Sequence, residues 1–251
     1  MPNIHEVLHP EGCHCNQETR RDVISRLPFL KTAFPSTVTK LIASLRSEDL
    51  AEGMEVSPLK FQNGMFGVVA QGAVKVYRYV GDDEFVVFDV LTAGDFFVYG
   101  FPENEGVKLY IYPDQVSALT TTCLLSMDKK KLEPILHEDA NLMAAFFGSL
   151  TARLIQSNER FVRFMAYPAE HKIAFLLEFL HGKGPKKPDH PGLIPFNLTR
   201  KDLASMAGLT LETSSRILTA FERDGIVRSG RGWVEILNFP ALHSRSPVPE
   251  V

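Results

Sequence analysis

The hydrophobic rhythm of this 251-residue chain changes several times. From Asp22 to about Leu50 the apolar positions are irregularly helical, interrupted by Pro28 and Pro35. From Glu55 to Met127 they become short β-type runs separated by turn residues. Within "FGVVAQGAVKVYRYVGDDEFVVFDVLTAGDFF", Val74, Val76 and Tyr77 precede a turn at Gly81-Asp82-Asp83. Phe85 to Val90 read as the returning strand, and Gly94-Asp95 mark the next turn. Strands this short, joined by tight turns, predict a small antiparallel barrel or jelly roll.

Between Glu138 and Phe164 the period lengthens. Met143, Phe147, Leu150, Leu154, Ser157, Phe161 and Phe164 follow one another at alternating steps of four and three. This spacing fits a coiled-coil seam and equally a single amphipathic helix lying on the barrel. Ser157 would loosen such a seam. Tyr167-Pro168 ends the helix, because proline lacks the backbone donor and disfavours helical geometry before it. A further helix is expected over Ala169–Leu180, with Ile173, Leu176, Leu177 and Leu180 inward. "HGKGPKKPDHPGLIP" then reads as an exposed basic loop.

"LTRKDLASMAGLTLETSSRILTAFERDG" follows, from Leu198 to Gly225. Thr199 is a good helix N-cap, and Leu203, Ala204 and Ala207 give the first helix a buried side. Gly208 supplies the positive φ of a tight turn. Thr210 can cap a second helix whose inner face is Ile217, Leu218 and Phe221. Two brief strands around Gly230-Arg231-Gly232 would add a wing. Together these elements make a winged helix-turn-helix.

Composition narrows the reading. The chain is 45% hydrophobic and 23% charged, with a net charge of −3, so it is neither disordered nor polybasic. Any basic surface must be local. No apolar run reaches the roughly 18–20 residues a membrane span needs, and the N-terminus lacks a signal-peptide core, so a cytoplasmic protein without membrane contact is expected. Three cysteines make no disulfide framework. The expected architecture is α+β. Residues 1–21 form a mobile polar arm, 22–137 a β-roll sensor domain, 138–166 a dimerisation helix and 167–251 the winged helix-turn-helix.

In such a unit the second helix enters the major groove with its N-terminal residues at the base edges. Glu212, Thr213, Ser215 and Arg216 stand there. Arg216 can donate two hydrogen bonds to guanine, and Glu212 can accept one from cytosine. Thr199, Arg200, Lys201 and the lysines of residues 183–187 would meet phosphates and fix register. The competing reading is a solvated helix face carrying an i,i+4 Glu212–Arg216 pair.

These stretches resemble the CRP/FNR superfamily of bacterial transcription regulators. The likeness runs over about residues 30–240, through "VVAQGAVKVYRY", "LTAGDFF", the long helix and "LTRKDLASMAGLTLETSSRIL…DGIV…G". It implies a homodimer joined through residues 143–164, binding double-stranded DNA and working with RNA polymerase. "ETSSR" is similar to the E-x-x-S-R pattern of the FNR branch, which implies that Glu212, Ser215 and Arg216 read inverted TTGAT-type half-sites.

The resemblance also frames the signal. Cyclic-AMP binders carry a Glu after the "GDF" turn and a later Arg-Ser pair. Tyr99 stands at the first position, and "NEGVKLYIY" has no Arg-Ser, which argues against a cyclic nucleotide. Oxygen sensors of the FNR type hold an iron–sulfur cluster on four cysteines. Here Cys13, His14, Cys15 and Cys123 are the candidate ligands, with one thiol missing and a different spacing. An iron–sulfur cluster, haem and a thiol switch all stay open. Phe96, Phe97, Tyr99 and Phe101 could line an apolar effector pocket or be plain core. Two other readings are a regulator controlled by abundance or an organic ligand, and a cupin-type metalloenzyme. The absence of histidine between Glu55 and Met127 weakens the metalloenzyme reading, so no enzyme activity is expected.

Overall fold

A computed structural model of the chain describes residues 17–56, 64–82, 84–99, 115–184 and 187–246. Helix α1 (Gln17–Arg26), a 3₁₀ turn (Pro28–Leu30) and helix α2 (Pro35–Ser44) open it. The strands follow: β1 (Arg46–Leu50), β2 (Glu55–Val56), β3 (Met65–Gln71), β4 (Ala73–Tyr79), β5 (Phe85–Thr92), β6 (Phe96–Tyr99), β7 (Gln115–Ala118) and β8 (Thr122–Asp128). Helices α3 (Lys129–Glu138) and α4 (Ala140–Ala166) lead to α5 (Ala169–Lys183), α6 (Arg200–Ala207) and α7 (Leu211–Arg223). A hairpin of β9 (Val227–Gly230) and β10 (Trp233–Ile236), then helix α8 (Phe239–Arg245), complete the described chain. The architecture is α+β. No described helix is long and apolar enough to cross a membrane.

Two four-stranded antiparallel sheets make the roll, ordered β1-β8-β3-β6 and β2-β7-β4-β5. Two expectations change here. Arg46–Leu50 is a strand, although its sequence RSEDL has one buried apolar residue, Leu50. Its partner β8 is buried over all but its last residue and sets the register from Arg46↔Ser126 to Leu50↔Thr122. Helix α1 begins at Gln17, so the boundary drawn at residue 21 falls inside a helix. Val23 and Ile24 anchor it in an apolar cluster with Phe29, Phe66, Phe96 and Phe146.

The described residues divide into two compact units, one drawn from residues up to Arg78 and from Leu91 to Gln156, the other from Tyr79 to Val90 and from Ser157 onward. In the first, four phenylalanines meet edge-on or tilted, with ring centroids 5.0 Å apart for Phe29–Phe96 and 5.1 Å for Phe29–Phe146. Burying each such ring contributes roughly 1.5–3 kcal/mol. A second cluster fills the space between the sheets with Met65, Val69, Val74, Val76, Phe97 and Leu124.

Asp139 joins distant parts of this unit. Fully buried, it caps α4 by accepting the Leu142 N–H at 3.0 Å, and its other oxygen accepts the Phe34 N–H at 2.7 Å. Burial raises its carboxyl pKa. The hydrogen bonds from Phe34, Leu142, Thr37 and Asn141 outweigh that and hold it below the ordinary value of 3.8. A lowered native pKa stabilises the fold above the unfolded value and loses that contribution as pH falls through the native value. Asp139→Asn is therefore expected to lower the melting temperature at pH 7, and the gap from wild type should close below pH 3.8 in a thermal-melt series.

In the second unit α5 buries Ile173, Leu176, Leu177 and Leu180, as its spacing predicts. His171 also turns inward and stacks on Tyr167 with centroids 4.3 Å apart. Its Nε2 is buried and has no hydrogen-bond partner among the described residues. Burial, helped by the charge of Arg163 and opposed by Glu178, lowers its pKa below 6.5, so it sits neutral. The unfolded chain then binds the proton more readily. Stability is complete above about pH 6.5 and declines as pH falls towards the lowered native value. His171→Phe should remove this part of the decline, measured as the difference in urea-unfolding midpoints between pH 7 and pH 5.

Candidate nucleic-acid interface

Helix α6 starts at a reciprocal cap. The Asp202 N–H donates to Thr199 Oγ1 at 3.1 Å, while Asp202 Oδ2 accepts the Thr199 N–H at 2.9 Å and its hydroxyl at 2.6 Å. Thr199 was legible as a cap; Asp202, its partner three residues on, completes the capping box. At the other end Gly208 has φ +62°, the left-handed conformation that ends α6 at low cost. Thr210 then caps α7, accepting the Thr213 N–H at 3.2 Å and donating to the Thr213 hydroxyl at 2.9 Å. Leu203, Leu218 and Phe221 are buried and hold the two helices together.

The inner face of α7 is Ser214, Leu218 and Phe221. Ile217, expected inward, is only partly buried. A period of 3.6 places 214, 218 and 221 on one stripe and rotates 217 off it. The Ser214 hydroxyl is buried there and has no partner among the described residues. That rotation turns Glu212 and Arg216 outward as exposed side chains, with Ser215 half-buried beside them. Among the described residues neither an ion pair nor a hydrogen bond engages the side chains of Glu212, Ser215 or Arg216, so the i,i+4 pair is not formed. Ser215, Arg216, Thr219, Ala220 and Arg223 line a shallow concavity of about 390 Å³.

The expected phosphate contacts divide. Arg200 turns towards the wing, donating to Ser229 Oγ at 3.3 Å. Ser229 is itself clamped by Glu222, to which its N–H and hydroxyl donate at 3.0 and 2.5 Å. This tie of α7 to β9 was not visible in the sequence, since nothing local distinguishes Glu222 from a solvated charge. Lys183 lies over the Phe179 ring at 5.5 Å, and Lys187 forms a β-bridge with His190; Lys186 lies outside the described residues. The wing carries Arg228, bound to the buried Glu235 at 2.5 Å, with its guanidinium 5.8 Å from the Trp233 ring centroid. Glu235 also meets His190 Nδ1 at 3.3 Å.

The candidate effector residues separate. Phe96 and Phe97 are neighbours on β6 and face opposite ways, Phe96 into the phenylalanine cluster and Phe97 into the space between the sheets. A strand alternates its side chains, so the two cannot line one wall. Phe97 lies so close over Gly67 that a Cβ there would stand 2.2 Å from its ring. Phe101 and the Tyr99 side chain lie outside the described residues, as do Cys13, His14 and Cys15. Cys123 is fully buried in β8 and disulfide-bonded. A sulfur so bonded offers no thiolate, so the described residues do not fit an iron–sulfur cluster.

Comparison with known proteins agrees with this geometry. Residues 172–245 match the model of the Crp-like helix-turn-helix domain. The chain is 25% identical over 161 residues to the nitrogen fixation regulation protein FixK of Azorhizobium caulinodans, covering 64% of this chain and 62% of that protein. It is 23% identical over 199 residues to the fumarate and nitrate reduction regulatory protein of Vibrio cholerae, covering 78% and 77%. In fold it is similar to FixK2 of Bradyrhizobium japonicum, with a TM-score of 0.66 at 19% identity over 82% of this chain and 99% of that one. Residues 172–245 thus carry a Crp-like helix-turn-helix domain, and the fold that surrounds it, roll and long helix, is similar to that of FixK2.

Proposed function

We propose that the protein is a homodimeric, sequence-specific DNA-binding regulator that acts in the cytoplasm on an inverted-repeat, TTGAT-like operator. The observation that carries this is the group of exposed Glu212 and Arg216 with half-buried Ser215, unpaired among the described residues, on a helix capped at its start and packed along its opposite face. Helices of this kind place such residues against base edges. The related proteins are named as regulators of nitrogen fixation and of fumarate and nitrate reduction, which supports the same role here. RNA polymerase is the expected partner at the promoter, and no reaction is catalysed.

The dimer forms through α4. Of its seam residues, Phe147, Leu150, Leu154 and Phe161 are exposed, and Ile155, Val162 and Met165 widen the apolar strip. Met143 packs on the phenylalanine cluster and Phe164 on Phe175, 5.7 Å away, so the two ends of the seam are engaged within the chain. What is left uncovered is the middle of the seam.

The signal is thiol oxidation. The disulfide at Cys123 supports this reading over a cluster, haem or an organic ligand. Two thiols lose two protons and two electrons to an oxidant such as a peroxide, which is reduced to water. The test is a titration of matched and scrambled palindromes with reduced and oxidised protein, beside a mass count of alkylated cysteines. Matched DNA should bind at least about a thousandfold more tightly. Two fewer cysteines should alkylate before reduction than after it, with a parallel change in operator affinity. Equal affinity for both DNAs would overturn the operator reading, and three alkylated cysteines in the oxidised sample would overturn the thiol reading.

A further inference from the structure

Strand β5 is the outer strand of the sheet β2-β7-β4-β5. An outer strand presents backbone donors and acceptors that a neighbouring strand would otherwise take up. Two of them are taken up by a single side chain of the helix-turn-helix. Ser205 Oγ donates to the Phe85 carbonyl at 2.8 Å and accepts the Val87 N–H at 2.9 Å. A residue of a parallel strand standing opposite Val86 would make the same pair of bonds, with the carbonyl before and the N–H after it. One hydroxyl, both donor and acceptor, takes that residue's place.

Neighbouring contacts hold the same strand. Lys201, one helical turn before Ser205, places its Nζ 4.8 Å from the Phe85 ring centroid. At the far side Asp89 pairs with Arg160 of α4 at 3.5 Å, both side chains being 14% exposed. Val87 itself is buried. The residues of β5 from Phe85 to Asp89 are thus gripped by α6 at one end and α4 at the other, all within one compact unit. Helix α6 is joined rigidly to α7 through the Gly208 turn and the buried Leu203, Leu218 and Phe221.

We infer that Ser205 is a positioning residue for DNA recognition: its hydroxyl fixes the helix-turn-helix to the edge of β5, and through it to the helix that joins the subunits. This rests on the DNA reading above. Ser205 touches no DNA. It sets where α7 points, and in a dimer the separation of two such helices decides which half-site spacing fits. Ser205 is only partly buried and lies outside the apolar core, so removing its hydroxyl leaves that core intact.

The experiment compares wild type, Ser205→Ala and Ser205→Thr. Amide hydrogen exchange is read at Val87, with Val68 inside the β1-β8-β3-β6 sheet as control. Binding is measured to palindromes whose half-sites stand at the best separation and one base pair closer or wider. In Ser205→Ala the Val87 amide should exchange about tenfold faster while Val68 is unchanged. Affinity at the best separation should fall about tenfold, and the penalty for a wrong separation should flatten to within about twofold, the size expected for two lost hydrogen bonds. Ser205→Thr, which keeps the hydroxyl, should restore both. Unchanged exchange at Val87 would overturn the contact. Faster exchange with an unaltered spacing preference would overturn the positioning role. Wild type that fails to prefer any palindrome over scrambled DNA would instead sink the operator reading, and the positioning role with it.

Discussion

Leu154→Glu is expected to convert the protein to a monomer and to lower its affinity for a palindromic operator by at least a hundredfold. Leu154 lies mid-way along the exposed strip of α4 and is itself 61% exposed, with Phe147 at 71% and Phe161 at 65%. Exposed aromatic and aliphatic side chains in one line are unusual on a single folded chain. Each that becomes fully buried contributes roughly 1.5–3 kcal/mol. A twofold interface brings the same patch together from both subunits, so one substitution faces two carboxylates across the seam. The variant loses apolar contact and gains repulsion. Joining two DNA-reading helices raises overall affinity by about 10²–10⁴-fold over one alone, and that is the quantity lost with the dimer. Sedimentation velocity reads the mass, and fluorescence anisotropy on full and half palindromes reads the affinity. Half-site binding should be unchanged, because Leu154 is far along the chain from α7. A variant that sediments as a dimer and binds normally would place the interface elsewhere.

The second large effect belongs to Arg216. Arg216→Ala should erase the preference for the guanine of each half-site while leaving the melting temperature where it was. The guanidinium makes no bond within the described protein, so its removal strands no partner and opens no cavity. On DNA a bidentate arginine–guanine contact discriminates by about 1–3 kcal/mol per base pair, or roughly 5- to 150-fold. Two half-sites count it twice in the dimer. The measurement is a competition between the matched operator and one carrying adenine at both guanines. The wild type should separate them strongly and Arg216→Ala should not. A variant that still separates them would assign that base to another side chain.

The helix-turn-helix was readable because its signals are local. Thr199, Gly208 and Thr210 each act on the backbone within three residues, and a cap or a left-handed turn needs no distant partner. The roll was readable in kind, from alternation and turns, but not strand by strand. RSEDL has the composition of a loop, and what makes it a strand is β8, some 75 residues later. The same distance hid the roles of Asp139, which needs Phe34, and of Ser205, which needs Phe85 and Val87. Phe96 and Phe97 misled for a different reason: a cluster of aromatics in sequence looks like one surface, whereas strand geometry deals them to opposite sides. Ile217 and Ser214 exchange places because the stripe of α7 is set by its packing partners, and hydropathy alone favours the isoleucine.

The strand order β1-β8-β3-β6 also has a consequence for how the protein is made. The last strand of the roll to leave the ribosome lies between two that leave much earlier. Until Asp128 has emerged, β1 and β3 have no common neighbour, and each has an open edge able to pair with another nascent chain. At roughly 5–20 residues per second this interval lasts several seconds. Fragments ending before Thr122 should therefore accumulate as aggregates, whereas those reaching past Asp128 can close the sheet. The roll is assembled at the end of its own synthesis, and helix α4 is not offered to a second chain until that has happened.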